Sequence, residues 1–196
     1  MNGIIEQLFK LQTAQLDHDE LFHKEITRLN VHQRINHMAL HFAKYSGSIC
    51  DCLFNGPNET TLKKNIIDSF IISTTCANTL NIRISDKLTT EMLDGATGFF
   101  ELGGNIAAQL EINTEDSLWL AKNYPVTVGK LAKACESVDH LEPYAYRELI
   151  TDNVIRICFL MLIAASVYKI DLVSEVPSRL NGVKKKSIFF DHYMNH

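Results

Sequence analysis

The sequence is short of the features that announce secretion, membranes or nucleic acid. Its five cysteines, Cys50, Cys52, Cys76, Cys135 and Cys158, are odd in number and include no C-x-x-C pair. That excludes a paired disulfide framework and a zinc ribbon, and points to buried thiols in a reducing, cytoplasmic setting. Basic excess is also missing: 19 Lys and Arg stand against 23 Asp and Glu, a net charge of −4. No general attraction for nucleic acid or anionic lipid follows from that balance, and the one basic run, Lys184-Lys185-Lys186, reads as a solvated tail. The N-terminus has neither a charged nor an apolar leader segment. The longest apolar stretch, Ile157 to Tyr168, is too short to span a bilayer and suits a buried helix.

Helix breakers are scarce as well, with four prolines and nine glycines in 196 residues. No segment alternates convincingly as a strand would. What is present is helical periodicity in a chain that is 46% hydrophobic, enough for one all-α domain over residues 1–196. The first thirty residues read as one or two short amphipathic helices with Ile4, Ile5, Leu8 and Leu11 inward. Ile35, Met38, Phe42, Tyr45 and Ile49 recur at steps of three and four, one face of a long helix that Asn55-Gly56-Pro57 should end. A second helix opens at Thr60 or Thr61 and buries Leu62, Ile66, Phe70 and Ala77. A helical pattern with weakening glycines covers 85–112, and further helices are expected near 115–122, 127–141, 147–169 and 174–180, with Pro125 and Pro143 in the gaps.

Two stretches look alike. Asn65-Ile66-Ile67 through Ile82 aligns with Asn153-Val154-Ile155 through Ile170 at an offset of 88, and Ala43-Lys44 aligns with Ala132-Lys133 at 89. The order helix, loop, helix, short helix repeats with them. An all-α bundle of two related helical hairpin units, about 33–94 and 127–182, is the expected architecture.

Three groups of residues could carry chemistry. His37, His41, Lys44, Ser48 and Asp51 share one helix face. Without the Glu of an H-E-x-x-H site, His37, His41 and Lys44 are best suited to meeting phosphate or carboxylate oxygens. Asp68 is the one acidic residue between Thr60 and Arg83, so it needs either a cation or an ion pair with a Lys or Arg of the other half. Glu136 and Asp139 sit three apart, and Glu148 and Asp152 sit four apart on the next helix. If those helices pack antiparallel, the carboxylates could gather around a hard divalent cation, or else line solvated faces.

The pairing of Ala43-Lys44-Tyr45-Ser46-Gly47-Ser48-Ile49 with Asn65-Ile66-Ile67-Asp68 and Ala77-Asn78-Thr79-Leu80-Asn81-Ile82 resembles the MazG-like all-α nucleoside triphosphate pyrophosphohydrolases. The resemblance implies a helical bundle, a homodimer, nucleotide binding, and magnesium- or manganese-dependent release of pyrophosphate. It also implies a metal held by an E-x-x-E and an E-x-x-D motif. The first slot reads Gly47-Ser48-Ile49-Cys50 in one copy and Glu136-Ser137-Val138-Asp139 in the other. The second reads Asn65-Ile66-Ile67-Asp68 and Asn153-Val154-Ile155-Arg156, with Asp152 just before it. The candidate metal ligands are therefore Asp68, Glu136, Asp139 and Asp152. The alternative expectation, supported by the carboxylates missing from the first copy, is an inactive bundle that binds a protein or a small ligand. A di-iron bundle would need two E-x-x-H pairs, and the chain has one, Glu20-Leu21-Phe22-His23.

Overall fold

A computed structural model describes residues 3–56, 58–143, 145–187 and 190–194. Every regular element among them is helical. The helices are α1 (Gly3–Phe22), α2 (Lys24–Thr27), α3 (Val31–Asn55), α4 (Glu59–Thr79), α5 (Thr90–Leu93), α6 (Phe99–Gln109), α7 (Trp119–Asp139), α8 (Tyr146–Val167), α9 (Leu172–Lys184) and α10 (Phe190–Met194). A single 3-10 turn, Ile84–Lys87, lies between α4 and α5. The four longest of the central helices close a ring: α3 packs on α4, α4 on α8, α8 on α7, and α7 back on α3. Outside the ring, α6 lies on α8, while α1 and α9 pack on each other and on α4.

Capping explains where the principal helices start and stop. Asn30 opens α3, accepting from Gln33 N at 2.9 Å while its own amide donates to the Gln33 side chain. The cap of α4 is Asn58, whose side chain accepts from Thr61 N, rather than either threonine. Gly56, at φ 118°, ends α3 at the expected turn; Pro57 lies outside the described residues. Helices α4, α6, α7 and α8 end alike, with Asn81, Glu111, Leu141 and Lys169 in the left-handed region. In each, the next amide reaches back to a carbonyl five residues earlier, as Ile82 N does to Ala77 O and Ile170 N to Ala165 O, both 2.8 Å. Burial of Ile170 behind its turn offsets the strain at Lys169.

Four expectations need correction. The pattern over 85–112 is no single helix: Gly95 takes φ 63° and Gly98 caps α6, so the chain turns between α5 and α6. Pro125 sits inside α7 rather than in a gap. The Asn123 side chain donates to Trp119 O, Thr127 donates to Asn123 O, and buried Trp119 and Tyr124 anchor the segment. Helix α9 runs from Leu172 to Lys184, beyond 174–180 at both ends and across Pro177. Finally, α8 as a whole is long and apolar enough to cross a membrane by length and composition, with mean hydropathy 1.8 over its most apolar eighteen residues. Two thirds of that window is nevertheless buried, because α4, α6 and α7 surround it. It is the core of the bundle.

Helix α6 approaches α8 closely at Gly103. A Cβ there would sit 2.5 Å from Leu162 O and 2.7 Å from Ser166 Cβ, so α6 can lie on α8 only without a side chain. Its neighbour Gly104 is exposed and faces open space. The two glycines should therefore respond oppositely to alanine. Gly103→Ala is expected to destabilise the fold by about 1–3 kcal/mol through overpacking. Gly104→Ala should stabilise it by up to about 1 kcal/mol by removing a helix-interior glycine. Urea unfolding of the two variants against the parent measures both signs.

Candidate functional site

Helical spacing on four elements directs polar side chains into one cavity of about 250 Å³. On α3, Arg34, His37, His41 and Tyr45 follow at steps of three and four. On α4, Asp68, Ile71 and Thr75 do the same, and α1 adds Gln15, His18 and Asp19 from its last two turns. Helix α9 closes the space with Arg179, Leu180 and Val183, while His23 comes from the junction of α1 and α2.

Asp68 is nearly enclosed, its side chain 7% exposed. Arg179 grips it with two bonds, Nε to Oδ1 at 2.6 Å and Nη2 to Oδ2 at 2.9 Å, and Lys64 Nζ adds a third at 3.1 Å. Burial pushes the Asp68 carboxyl up, but the hydrogen bonds and charges of Arg179 and Lys64 outweigh it and hold the group below its ordinary value. The guanidinium therefore stands where a metal ion would have to stand. This is the ion pair with the second half that the sequence offered as the alternative to cation binding.

The other candidate carboxylates do not join Asp68. Glu136 is exposed and paired with Lys133 at 2.9 Å. Asp139 is exposed and meets His32 Nε2 at 2.8 Å. Asp152 is exposed in a shallow hollow beside Lys122, Lys130 and Arg156. None of the three lines the cavity that holds Asp68. The reason is rotational: on α7 and α8 the core takes Leu131, Cys135, Val154 and Ile155, which turns Glu136, Asp139 and Asp152 toward solvent.

The phosphate-binding candidates divide. His37 and His41 line the cavity and meet each other through their Nε2 atoms at 3.1 Å. Lys44 points away, exposed, with Nζ 4.4 Å from the Tyr45 ring centroid. Burial, helped by the charges of Lys44 and His37, lowers His41 to about 4. Burial also raises the Tyr45 phenol, and the nearby Asp68 charge adds to the effect.

The most telling feature is a set of unpaired polar atoms. Gln15 Oε1, both ring nitrogens of His18, Arg34 Nε and His41 Nδ1 are buried without a hydrogen-bond partner, and all four residues line this cavity. Native interiors rarely leave such groups unpaired, since each costs about 1–3 kcal/mol. A larger hollow of about 560 Å³ beside Trp119 and Tyr168 has one such atom, Trp119 Nε1. Sequence reasoning missed Gln15, His18, Asp19, Arg34 and Arg179. Of these, only Arg34 carried a readable signal, because it continues the His37–His41 stripe one turn upstream.

Comparison of the chain with models of known protein families, with curated proteins and with solved structures finds no match.

Two outcomes follow from the ion pair and the histidines. Arg179→Met leaves a buried carboxylate with Lys64 alone and is expected to destabilise the fold by about 3 kcal/mol. Adding Asp68→Asn should recover most of that loss in urea unfolding. For His41, the unfolded chain takes up a proton near 6.5 and the folded chain only near 4. Stability conferred by the neutral ring is therefore complete above about pH 6.5 and declines as pH falls from there to about 4. In thermal melts across that window, His41→Gln should show a shallower decline than the parent.

Proposed function

We propose that the chain is a nucleotide-binding bundle of MazG-like type, made of two related helical hairpins, that has lost the magnesium site for hydrolysis. The observation that carries this reading is the group of unpaired polar atoms converging on one cavity. Arg34, Arg179 and Lys186 outnumber Asp19 and Asp68 on its walls, which favours an anionic ligand. Met38, Ile71, Ile72, Leu180 and Val183 supply apolar surface for a ring. The volume, about 250 Å³, is just below the range of about 300–1,000 Å³ usual for ligand sites, which favours a mononucleotide-sized molecule whose remainder extends through the mouth. Support for the two hairpins comes from the packing of α3 on α4 and of α7 on α8, with the ends of α4 and α8 88 residues apart at Asn81 and Lys169.

Loss of hydrolysis rests on Arg179, which fills the cation position at Asp68, and on the outward direction of the other carboxylates. A hydrolytic site would need an ion to neutralise the phosphates and orient water.

The test is a thermal-shift and calorimetric panel of nucleoside mono-, di- and triphosphates with inorganic phosphate as reference. At least one nucleotide should bind more tightly than phosphate, and Arg34→Ala should weaken it roughly tenfold or more. Pyrophosphate release with magnesium or manganese should stay at background. The reading is overturned if no nucleotide outcompetes phosphate, or if Arg34→Ala binds as well as the parent; turnover above background would refute the loss of hydrolysis.

A further inference from the structure

The same cavity holds a second constellation, which shares only the unpaired nitrogens of His18 with the nucleotide reading. His18, Asp19 and His23 each offer a ligand atom, and those atoms all lie within 4.8 Å of one another. The geometry points to a divalent transition-metal site made of these three side chains, with coordination positions left open toward the cavity. The inference stands apart from nucleotide binding, since it concerns the ion alone.

Local structure explains how three residues so close in sequence meet. His18 and Asp19 are adjacent on the last turn of α1, and α1 stops at Phe22. His23 then leaves helical geometry, at φ −128° and ψ 44°, while its amide still donates to Asp19 O at 3.0 Å. That tight closure brings the His23 ring back to 5.3 Å from the His18 ring, centroid to centroid. His18 Nδ1 is 3.8 Å from Asp19 Oδ1, too long for a hydrogen bond. It is a few tenths of an ångström wider than two neighbouring ligands of one ion, which bonds of about 2.1 Å place about 3–3.5 Å apart, so an ion would draw the two atoms slightly together.

The independent sign of a ligand is His18 itself. The residue is 7% exposed, it lines the cavity, and neither ring nitrogen has a hydrogen-bond partner. A buried imidazole with both nitrogens idle is costly unless something else occupies one of them.

The surroundings are also those of held ligands. Asp19 Oδ1 accepts from Gln15 Nε2 and Oδ2 from Thr75 Oγ1, both at 2.8 Å, so neutral donors fix the carboxylate and leave its charge uncancelled. His23 Nδ1 faces Glu25 Oε1 at 3.4 Å, the carboxylate–imidazole pairing that orients a histidine so that Nε2 can bind metal. Two imidazoles and one carboxylate select zinc, cobalt, iron(II) or nickel over magnesium, which prefers an all-oxygen shell. Asp68 is no competitor, being committed to Arg179 and Lys64. His37 and His41, bound to each other on the same cavity, are the one alternative pair to be excluded.

Titration of cobalt(II) into the metal-free full chain, without nucleotide, tests the site. One equivalent is expected to bind with visible d–d absorption and a higher melting temperature. His23→Ala, at a half-exposed position chosen to spare the fold, and Asp19→Asn should each weaken cobalt at least about tenfold. The double variant His37→Ala/His41→Ala should stay within about threefold of the parent, with circular dichroism verifying helicity throughout. The site is refuted if the parent fails to bind cobalt stoichiometrically, if His23→Ala binds as well as the parent, or if the signal follows His37 and His41 instead.

Discussion

A carboxylate at position 68 obliges the chain to bring a cation to it. Helix α4 is buried nearly all round, and an ionised Asp68 among Ile67, Ile71 and Phe70 is tolerable only when compensated. Arg179 does this from 111 residues away, and in doing so fastens α9 across α4. Measured against an apolar substitute, such a pair adds little net stability. Its consequence is positional, because α9 carries Leu180 and Val183 and forms the wall without which α1, α3 and α4 would leave an open groove. The ion pair thus joins buried Leu172, Val176 and Leu180 in holding α9 as the cavity wall, and it leaves Asp68 committed to Arg179 and Lys64.

The rest of the fold follows from how little room surrounds the two innermost helices. The second half of α8, Ile157 to Ala165, is apolar and buried throughout because α4, α6 and α7 surround it. Helix α4 carries hydroxyl residues instead, and it can bury them because Ser73, Thr74 and Thr79 return their hydroxyls to carbonyls three or four residues earlier in the helix. Tyr124 donates to Ser69 across the interface of α4 and α7, so even the ring of helices is stitched by a buried hydroxyl pair.

These two modes of burial decide what could be read from the sequence. The stripe Ile35, Met38, Phe42, Tyr45, Ile49 was legible because α3 is half solvated, and all five residues are buried as expected. The all-helical class was legible for the same reason, and from the scarcity of strand alternation. Boundaries failed where the local signal was misleading: Pro125 stays in α7 between buried Tyr124 and Val128, and the 85–112 pattern divides at Gly95. For the site, His37 and His41 could be placed from spacing alone. Arg179 and Asp19 could not, since their roles depend on α9 and α1 meeting over α4, a long-range event that no periodicity records.

The charge pattern in the cavity bears on how one small space could take both the proposed anion and the proposed cation. Among the described residues, Asp68 is neutralised by Arg179 and Lys64, whereas Asp19 is held by the neutral Gln15 and Thr75. Arg34 likewise has no ion-pair partner among the described residues, and its Nε is buried and unpaired. One uncancelled carboxylate with two imidazoles beside it attracts a metal ion, and one uncancelled guanidinium attracts a phosphate or carboxylate. Had Arg34 simply paired with Asp19, both charges would be satisfied and the cavity would be an inert, polar-lined gap. Gln15 and Thr75 hold Asp19 with neutral donors instead, which fixes the carboxylate while leaving its charge, and a lone pair on each oxygen, open to an incoming ion.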